Sequence, residues 1–216
     1  ISWVDINITL PDNSVRQFNN EVTGYDLASD IGRSLAKDAV CIEINGQLAD
    51  LNTLIKEDSR CRIFTSNDQT SLDVLRHSSA HILAQAVLNL FPNTKYGVGP
   101  SIEDGFYYDF LFENNIKEDD LLKIEKEMYK IVQEKQYFSK EFISDKEALK
   151  IFSNQQFKQE LINTADKGEG VGEGQVSTYK NKDFIDLCKG PHIPNTGYLK
   201  HFKLTKLAGA YWRGIE

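Results

Sequence analysis

The chain has 216 residues, 40% of them hydrophobic and 11% aromatic, with a formal net charge of −7 and three cysteines. A chain of this length can bury one large core or two smaller ones, and no run reaches the roughly 18 apolar residues of a membrane span, so a globular protein without a membrane partner is expected. The acidic balance argues against generic nucleic-acid adhesion, which needs clustered Lys and Arg. An odd cysteine count with no secretory leader sets the expectation of reduced thiols and a cytoplasmic location.

Charge is uneven along the chain. Residues 1–70 carry 11 acidic and 6 basic side chains, whereas Leu187 to Glu216 carry five basic and one acidic. A polyanion docking near the C-terminal end and a merely solvated charged face are both compatible with that asymmetry.

In chain order, residues 3–10 (WVDINITL) alternate, meet the turn Pro11-Asp12-Asn13-Ser14, and alternate again over Val15 to Phe18, which predicts a hairpin. Apolar residues at 27, 28, 31 and 35 predict a helix from Tyr25 to Leu35. A strand from Ala39 to Ile44 turns at Asn45-Gly46 into Leu48, and Cys61 to Phe64 is the last strand of the unit. The order β-β-α-β-β makes a small mixed sheet crossed by one helix, giving a first domain at 1–65, a linker at 66–70 and a second domain at 71–216. The fold class is α+β. "ITLPDNSVRQF", "DIGRSLAKDAV" and "EINGQLADL" resemble the TGS module, a ubiquitin-like β-grasp found in threonyl-tRNA synthetases and also in GTPases and stringent-response enzymes.

The second unit opens with Thr70 as a helix cap answered by Asp73, and its helix runs to about Leu90, stopped near Pro92. Leu72, Leu75, Ile82, Leu83, Ala86 and Leu90 share one face, and His77 and His81 lie off its centre beside Ala80 and Ala84. Two imidazoles one turn apart can grip a metal, exchange a proton with a substrate or fill space; the small neighbours favour room for a ligand.

Residues 96–112 carry glycines at 97, 99 and 105 among aromatics, a bent hairpin that either brings backbone such as Gly99 close to a ligand or serves as core. Asp119 to Gln136 is a packing helix with apolar residues at 121, 122, 124, 128, 131 and 132, and a further helical stretch spans about Ser144 to Asn163. "KGEGVGEG" over 167–174 has alternating glycines and two glutamates, which is not a phosphate cradle, so a flexible loop is expected.

In "DFIDLCKGPH" an extended strand turns Phe184, Asp186 and Cys188 to one side; Lys189-Gly190-Pro191 then turns the chain into His192. H-x-x-x-H on a helix with C-x-x-x-H on a strand and turn makes His77, His81, Cys188 and His192 a candidate zinc quartet by spacing.

Together "RHSSAHILAQAV", "GPSIEDGFYYDF", "DLCKGPHIPNTG" and "FKLTKLAGAYWRG", following a TGS-like module, closely resemble the N-terminal half of the bacterial-type threonyl-tRNA synthetase family over essentially the whole chain. The resemblance makes the second unit an editing domain, shared with alanyl-tRNA synthetases, that hydrolyses the ester of Ser-tRNA(Thr). It implies that His77, His81, Cys188 and His192 occupy the family's histidine and cysteine positions, with Asp186, Tyr179 and Lys158 as further site residues. From the residues alone Lys158 reads as a solvated surface lysine. The threonyl members are understood to work without metal, so no cofactor is expected, with zinc on the quartet as the alternative. Ester hydrolysis needs a base for water, a cation or donor for the oxyanion and a proton for the leaving oxygen. The expected division is water or proton handling by His77 and His192, charge stabilisation by Lys158, capture of the substrate ammonium by Asp186, and pocket lining by His81, Tyr179, Cys188 and Gly99.

No class II catalytic core follows within the chain, so no aminoacylation is expected of it. It reads as part of a synthetase whose homodimer forms through that core, or as a free-standing editing deacylase. The partner is the 3′ end of tRNA(Thr) carrying serine. A non-catalytic RNA-binding module with a structural zinc is the alternative from another class, and a metallohydrolase acting on another ester or amide comes third.

Overall fold

The computed structural model describes residues 5–164 and 174–210. The chain divides into two compact units, one of Ile1–Leu75 with Gly190–Pro194 and the other of Arg76–Lys189 with Asn195–Glu216.

In the first unit β1 (Ile6–Thr9) pairs antiparallel with β2 (Val15–Phe18), Ile6 opposite Phe18 and Thr9 opposite Val15. Alternation buries Ile6 and Ile8 and leaves Asn7 outside. The turn between them is the predicted one: Asp12 Oδ1 accepts from the backbone N–H and the hydroxyl of Ser14, and Asn13 takes a left-handed φ of 68°.

β3 (Val22–Thr23) leads into α1 (Gly24–Ile31), where Thr23 and Asp26 cap each other's backbone N–H reciprocally. The single helix expected over 25–35 is two, because Gly32 adopts extended backbone before α2 (Arg33–Asp38). β4 (Ala39–Ile44), β5 (Gln47–Asp50), β6 (Leu54–Ile55) and β7 (Ser59–Thr65) complete the unit. The sheet order is β2-β1-β7-β4-β5, with β1 and β7 parallel and the other pairs antiparallel, while β3 and β6 form a separate pair. Its core is Ile6, Ile8, Leu27, Ile42, Ile55 and Cys61. This is the expected β-grasp arrangement; the short β3–β6 pair had no signal in the alternation.

α3 (Gln69–Leu90) begins one residue before the predicted cap, so Thr70 lies inside the helix; Asp68 instead takes the turn, accepting from Thr65 N–H. The expected single apolar stripe is also corrected. Every residue from Ser78 to Val87 is buried, whereas Leu72 and Leu90 at the ends are exposed. A helix enclosed on all sides is a core helix, so a one-sided pattern is not required of it.

In the second unit β8 (Lys95–Tyr96) pairs with β11 (Phe110–Leu111), and β9 (Ser101–Ile102) with β10 (Gly105–Phe106), a hairpin held at base and tip. α4 (Glu118–Gln133) buries Ile124, Met128 and Ile131, but Leu122, expected on its packed face, is exposed. The helical stretch expected over 144–163 is interrupted: β12 (Ser139–Ser144) precedes α5 (Asp145–Ile151), and α6 (Gln156–Ile162) follows a turn. At that turn Gln155 accepts from Tyr96 N–H and donates to the Thr94 carbonyl, tying α6 to the base of the hairpin. β13 (Gln175–Asn181) and β14 (Phe184–Leu187) complete an antiparallel sheet of order β12-β13-β14. The glycine-rich stretch lies outside the described residues except for Gly174.

The core of this unit gathers Ala84, Tyr96, Ile143, Ala148, Phe152, Ile162, Val176 and Phe184. Among the described residues no helix is long and apolar enough to cross a membrane.

Candidate functional site

β14 sets the site. Its alternation buries Phe184 and Asp186 on one side, and antiparallel register puts Tyr179 of β13 directly opposite Asp186, so both side chains share a face. Tyr179 is fully buried, with the Lys140 ammonium 5.7 Å from its ring centroid.

Asp186 is clasped from two elements. Lys158 Nζ of α6 lies 2.5 Å from Oδ1 as a buried ion pair, and the Tyr108 hydroxyl donates to Oδ2 at 2.7 Å. Lys158 also donates to the Gly97 carbonyl at 2.6 Å and to the Tyr108 hydroxyl oxygen at 2.8 Å. It is only 2% exposed, so the surface reading of this lysine is wrong. The reason is tertiary: α6 turns Lys158 toward the hairpin base, where Tyr96 and Tyr108 present their rings at 4.8 and 5.4 Å. Burial, then the Asp186 charge, keeps the Tyr108 phenol protonated by raising its pKa well above the usual value.

α3 supplies the histidines. His77 Nε2 lies 2.8 Å from Cys188 Sγ, just beyond the end of β14. Burial lowers the His77 pKa against the opposing pull of Asp186, so its ring is neutral at pH 7. His81, one turn on, is enclosed between Phe138 and Phe184, with ring centroids at 5.1 and 4.9 Å. Its Nε2 is 2.6 Å from Asn181 Oδ1, while Asn181 Nδ2 donates to the Tyr137 carbonyl. The amide is thereby oriented, and His81 carries its proton on Nε2. Burial drives its pKa down to about 4.

Gly99 sits against Tyr108: a Cβ there would come within 2.2 Å of the ring. The glycine is needed for close packing of Tyr108, the residue that carries Asp186. His192 is buried in the Gly190–Pro194 segment of the first unit, where its backbone N–H donates to Asp50 Oδ1 at 2.8 Å. The expected turn before it is present, with a cis Gly190–Pro191 peptide and Gly190 at φ 73°.

The second unit thus brings Asp186, Lys158 and Tyr179 together, and pairs His77 with Cys188. Tyr108 and Asn181 were missed from sequence. Tyr108 stands in an aromatic run where nothing distinguishes a phenol that will meet a carboxylate, and Asn181 ends a strand that had no sequence signal.

Within the second unit His77 and Cys188 stand close enough to serve as metal ligands, but His81 does not fit the zinc quartet that spacing offered. His81 Nε2 is turned to an amide oxygen within an aromatic enclosure.

Residues 6–65 match the TGS domain model, and residues 176–213 match the model described as the threonyl and alanyl tRNA synthetase second additional domain. The chain is 45% identical over 211 residues to a threonine–tRNA ligase of Rickettsia akari (strain Hartford), covering 97% of this chain and 32% of the relative. It is 47% identical over 213 residues to a threonine–tRNA ligase of Carboxydothermus hydrogenoformans, covering 98% and 33%. A threonine–tRNA ligase of Marinobacter nauticus is 46% identical over 209 residues. The chain therefore spans about a third of the length of the curated relatives it matches.

Proposed function

We propose, for a chain that carries the TGS and editing domains of the N-terminal region of threonine–tRNA ligases, that it hydrolyses the ester of Ser-tRNA(Thr) and spares Thr-tRNA(Thr). Water adds to the seryl carbonyl, the bond to the terminal ribose oxygen breaks, and serine and tRNA are released. The observation that carries this reading is Asp186, a buried carboxylate preset by Lys158 and Tyr108. A carboxylate has about four lone-pair positions, so it retains capacity for the substrate α-ammonium.

The neutral His77 ring suits positioning or deprotonating water. His192, four residues after Cys188, is read as a second group handling water or the proton of the leaving oxygen. Cys188 lines the pocket, and hydrolysis by water needs no seryl-thioester. His81, fixed by Asn181, and Tyr179 form the packed wall behind Asp186. Gly99 takes part through the Tyr108 ring that it allows to approach.

Selection is by size. Serine is the smaller substrate, so a tight pocket need only clash with the extra methyl of threonine. No cofactor enters this mechanism.

The experiment is hydrolysis of Ser-tRNA(Thr) and Thr-tRNA(Thr) by the purified chain, with and without chelator. Cleavage of the seryl ester, sparing of the threonyl ester and indifference to chelator are expected. Equal rates on both esters refute the editing reading. Stoichiometric zinc with no hydrolysis favours a non-catalytic RNA-binding module instead.

A further inference from the structure

We infer that Lys158 is a positioning residue, which holds Asp186 and the Gly97 backbone in place for the substrate ammonium and does not itself contact the developing oxyanion. The inference deepens the ester-hydrolysis reading above and rests on it. An ammonium has three N–H groups. Here three oxygens hold it: Gly97 O at 2.6 Å and Tyr108 Oη at 2.8 Å accept hydrogen bonds, and Asp186 Oδ1 at 2.5 Å supplies the opposite charge of an ion pair. The rings of Tyr96 and Tyr108 cover the same ammonium.

To reach an oxyanion, Lys158 would have to release one of these partners, leaving a buried carbonyl or hydroxyl oxygen without its donor or a buried carboxylate without its counter-charge. Leaving such a group unsatisfied costs about 1–3 kcal/mol, and more for a charged one. Tyr108 cannot compensate at Gly97. Its single proton goes to Asp186 Oδ2 at 2.7 Å, whereas the Gly97 carbonyl is 3.4 Å away. Gly97 O therefore depends on Lys158, and through it α6 anchors the segment that runs from β8 to Gly99.

A lysine that acts only through Asp186 has a signature. Its loss should be felt by a substrate with an α-ammonium and hardly at all by one without. The test uses two esters on the same tRNA, seryl and 3-hydroxypropionyl, the second lacking the amino group. Wild type, Lys158→Met, Asp186→Asn and the double variant are compared. Lys158→Met is expected to weaken seryl-ester hydrolysis roughly 10-fold or more, chiefly in KM, and to change the des-amino ester less than about 3-fold. The double variant should be no worse than Asp186→Asn alone, because both remove the same contact. Equal losses on both esters, a loss confined to kcat, or additive losses in the double variant would overturn the inference.

Tyr108→Phe provides a second variant that keeps the ring, and the same ester-selective pattern is expected of it. Exchange of the Lys158 ammonium protons with water, followed by nitrogen-15 NMR of the wild type, tests the clamp without activity. Slow exchange is expected, and exchange as fast as that of exposed lysines overturns it. If the wild type cleaves neither ester, the editing reading falls and ammonium exchange alone decides the clamp.

Discussion

His77 and Cys188, 111 positions apart in sequence, meet with Nε2 2.8 Å from Sγ. The contact makes the imidazole and the thiol partners, but it does not make their roles equal. Cys188→Ser keeps a hydrogen-bonding group beside the ring, so seryl-tRNA hydrolysis should fall by less than about 10-fold. His77→Ala removes the group assigned to water and should cost on the order of 10²–10⁴-fold. Single-turnover rates on Ser-tRNA(Thr) measure both, and a larger loss from Cys188→Ser would point to the thiol as the reacting group.

The pH–rate profile should report the buried state of His77. Burial is the larger influence on its pKa and lowers it; Asp186 pulls the other way. A base of lowered pKa is already deprotonated above the usual histidine value of about 6.5, so kcat/KM should be flat from there toward pH 8 and fall only on the acid side. An acid limb centred above pH 7 would exclude His77 as the base.

His81 makes a separate prediction about stability. Burial, the largest influence, pushes its pKa down from the usual 6.5 to about 4, against the pull of Asp186 and Asn181, with His77 and Lys158 also disfavouring its charged form. The unfolded chain therefore binds this proton more readily than the folded one. The stability contributed by the neutral ring is complete above pH 6.5, declines as pH falls, and is gone near pH 4, a loss of roughly 3 kcal/mol at most. Urea midpoints measured across that range should drop with acid in the wild type and less steeply in His81→Gln. Parallel slopes would mean that other groups dominate.

Gly99→Ala should damage the site through packing. The added Cβ would fall 2.2 Å from Tyr108 Cδ2, so the ring must move, and with it the hydroxyl on Asp186. A loss of roughly 1–3 kcal/mol is expected from such overpacking, together with reduced seryl-ester hydrolysis. Thermal unfolding and the hydrolysis assay check the two halves. Wild-type behaviour in both would show that the hairpin absorbs the methyl elsewhere.

Chelation should leave folding and hydrolysis unchanged. A zinc site would release metal on substitution of His77, His81, Cys188 or His192, with loss of activity or structure. Metal analysis of an active preparation, before and after dialysis against chelator, decides this; stoichiometric zinc that is lost along with activity would restore the quartet.

The sequence by itself determined whatever depends on local pattern. Alternation with the Pro11 to Ser14 turn specified β1 and β2; the run of apolar residues before Pro92 specified α3; period two in "DFIDLC" placed Asp186 and Phe184 on one side. Motif resemblance then supplied Lys158, which no periodicity would have chosen. The tertiary structure alone decided what surrounds each of these groups. Lys158 is buried because α6 turns it against the hairpin base, and His81 is a packed histidine because Phe138, Phe184 and Asn181 converge on it from other elements. Burial and hydrogen-bond satisfaction are sums over neighbours distant in sequence, so residues such as Tyr108 and Asn181 carry no local mark of the partners they will meet.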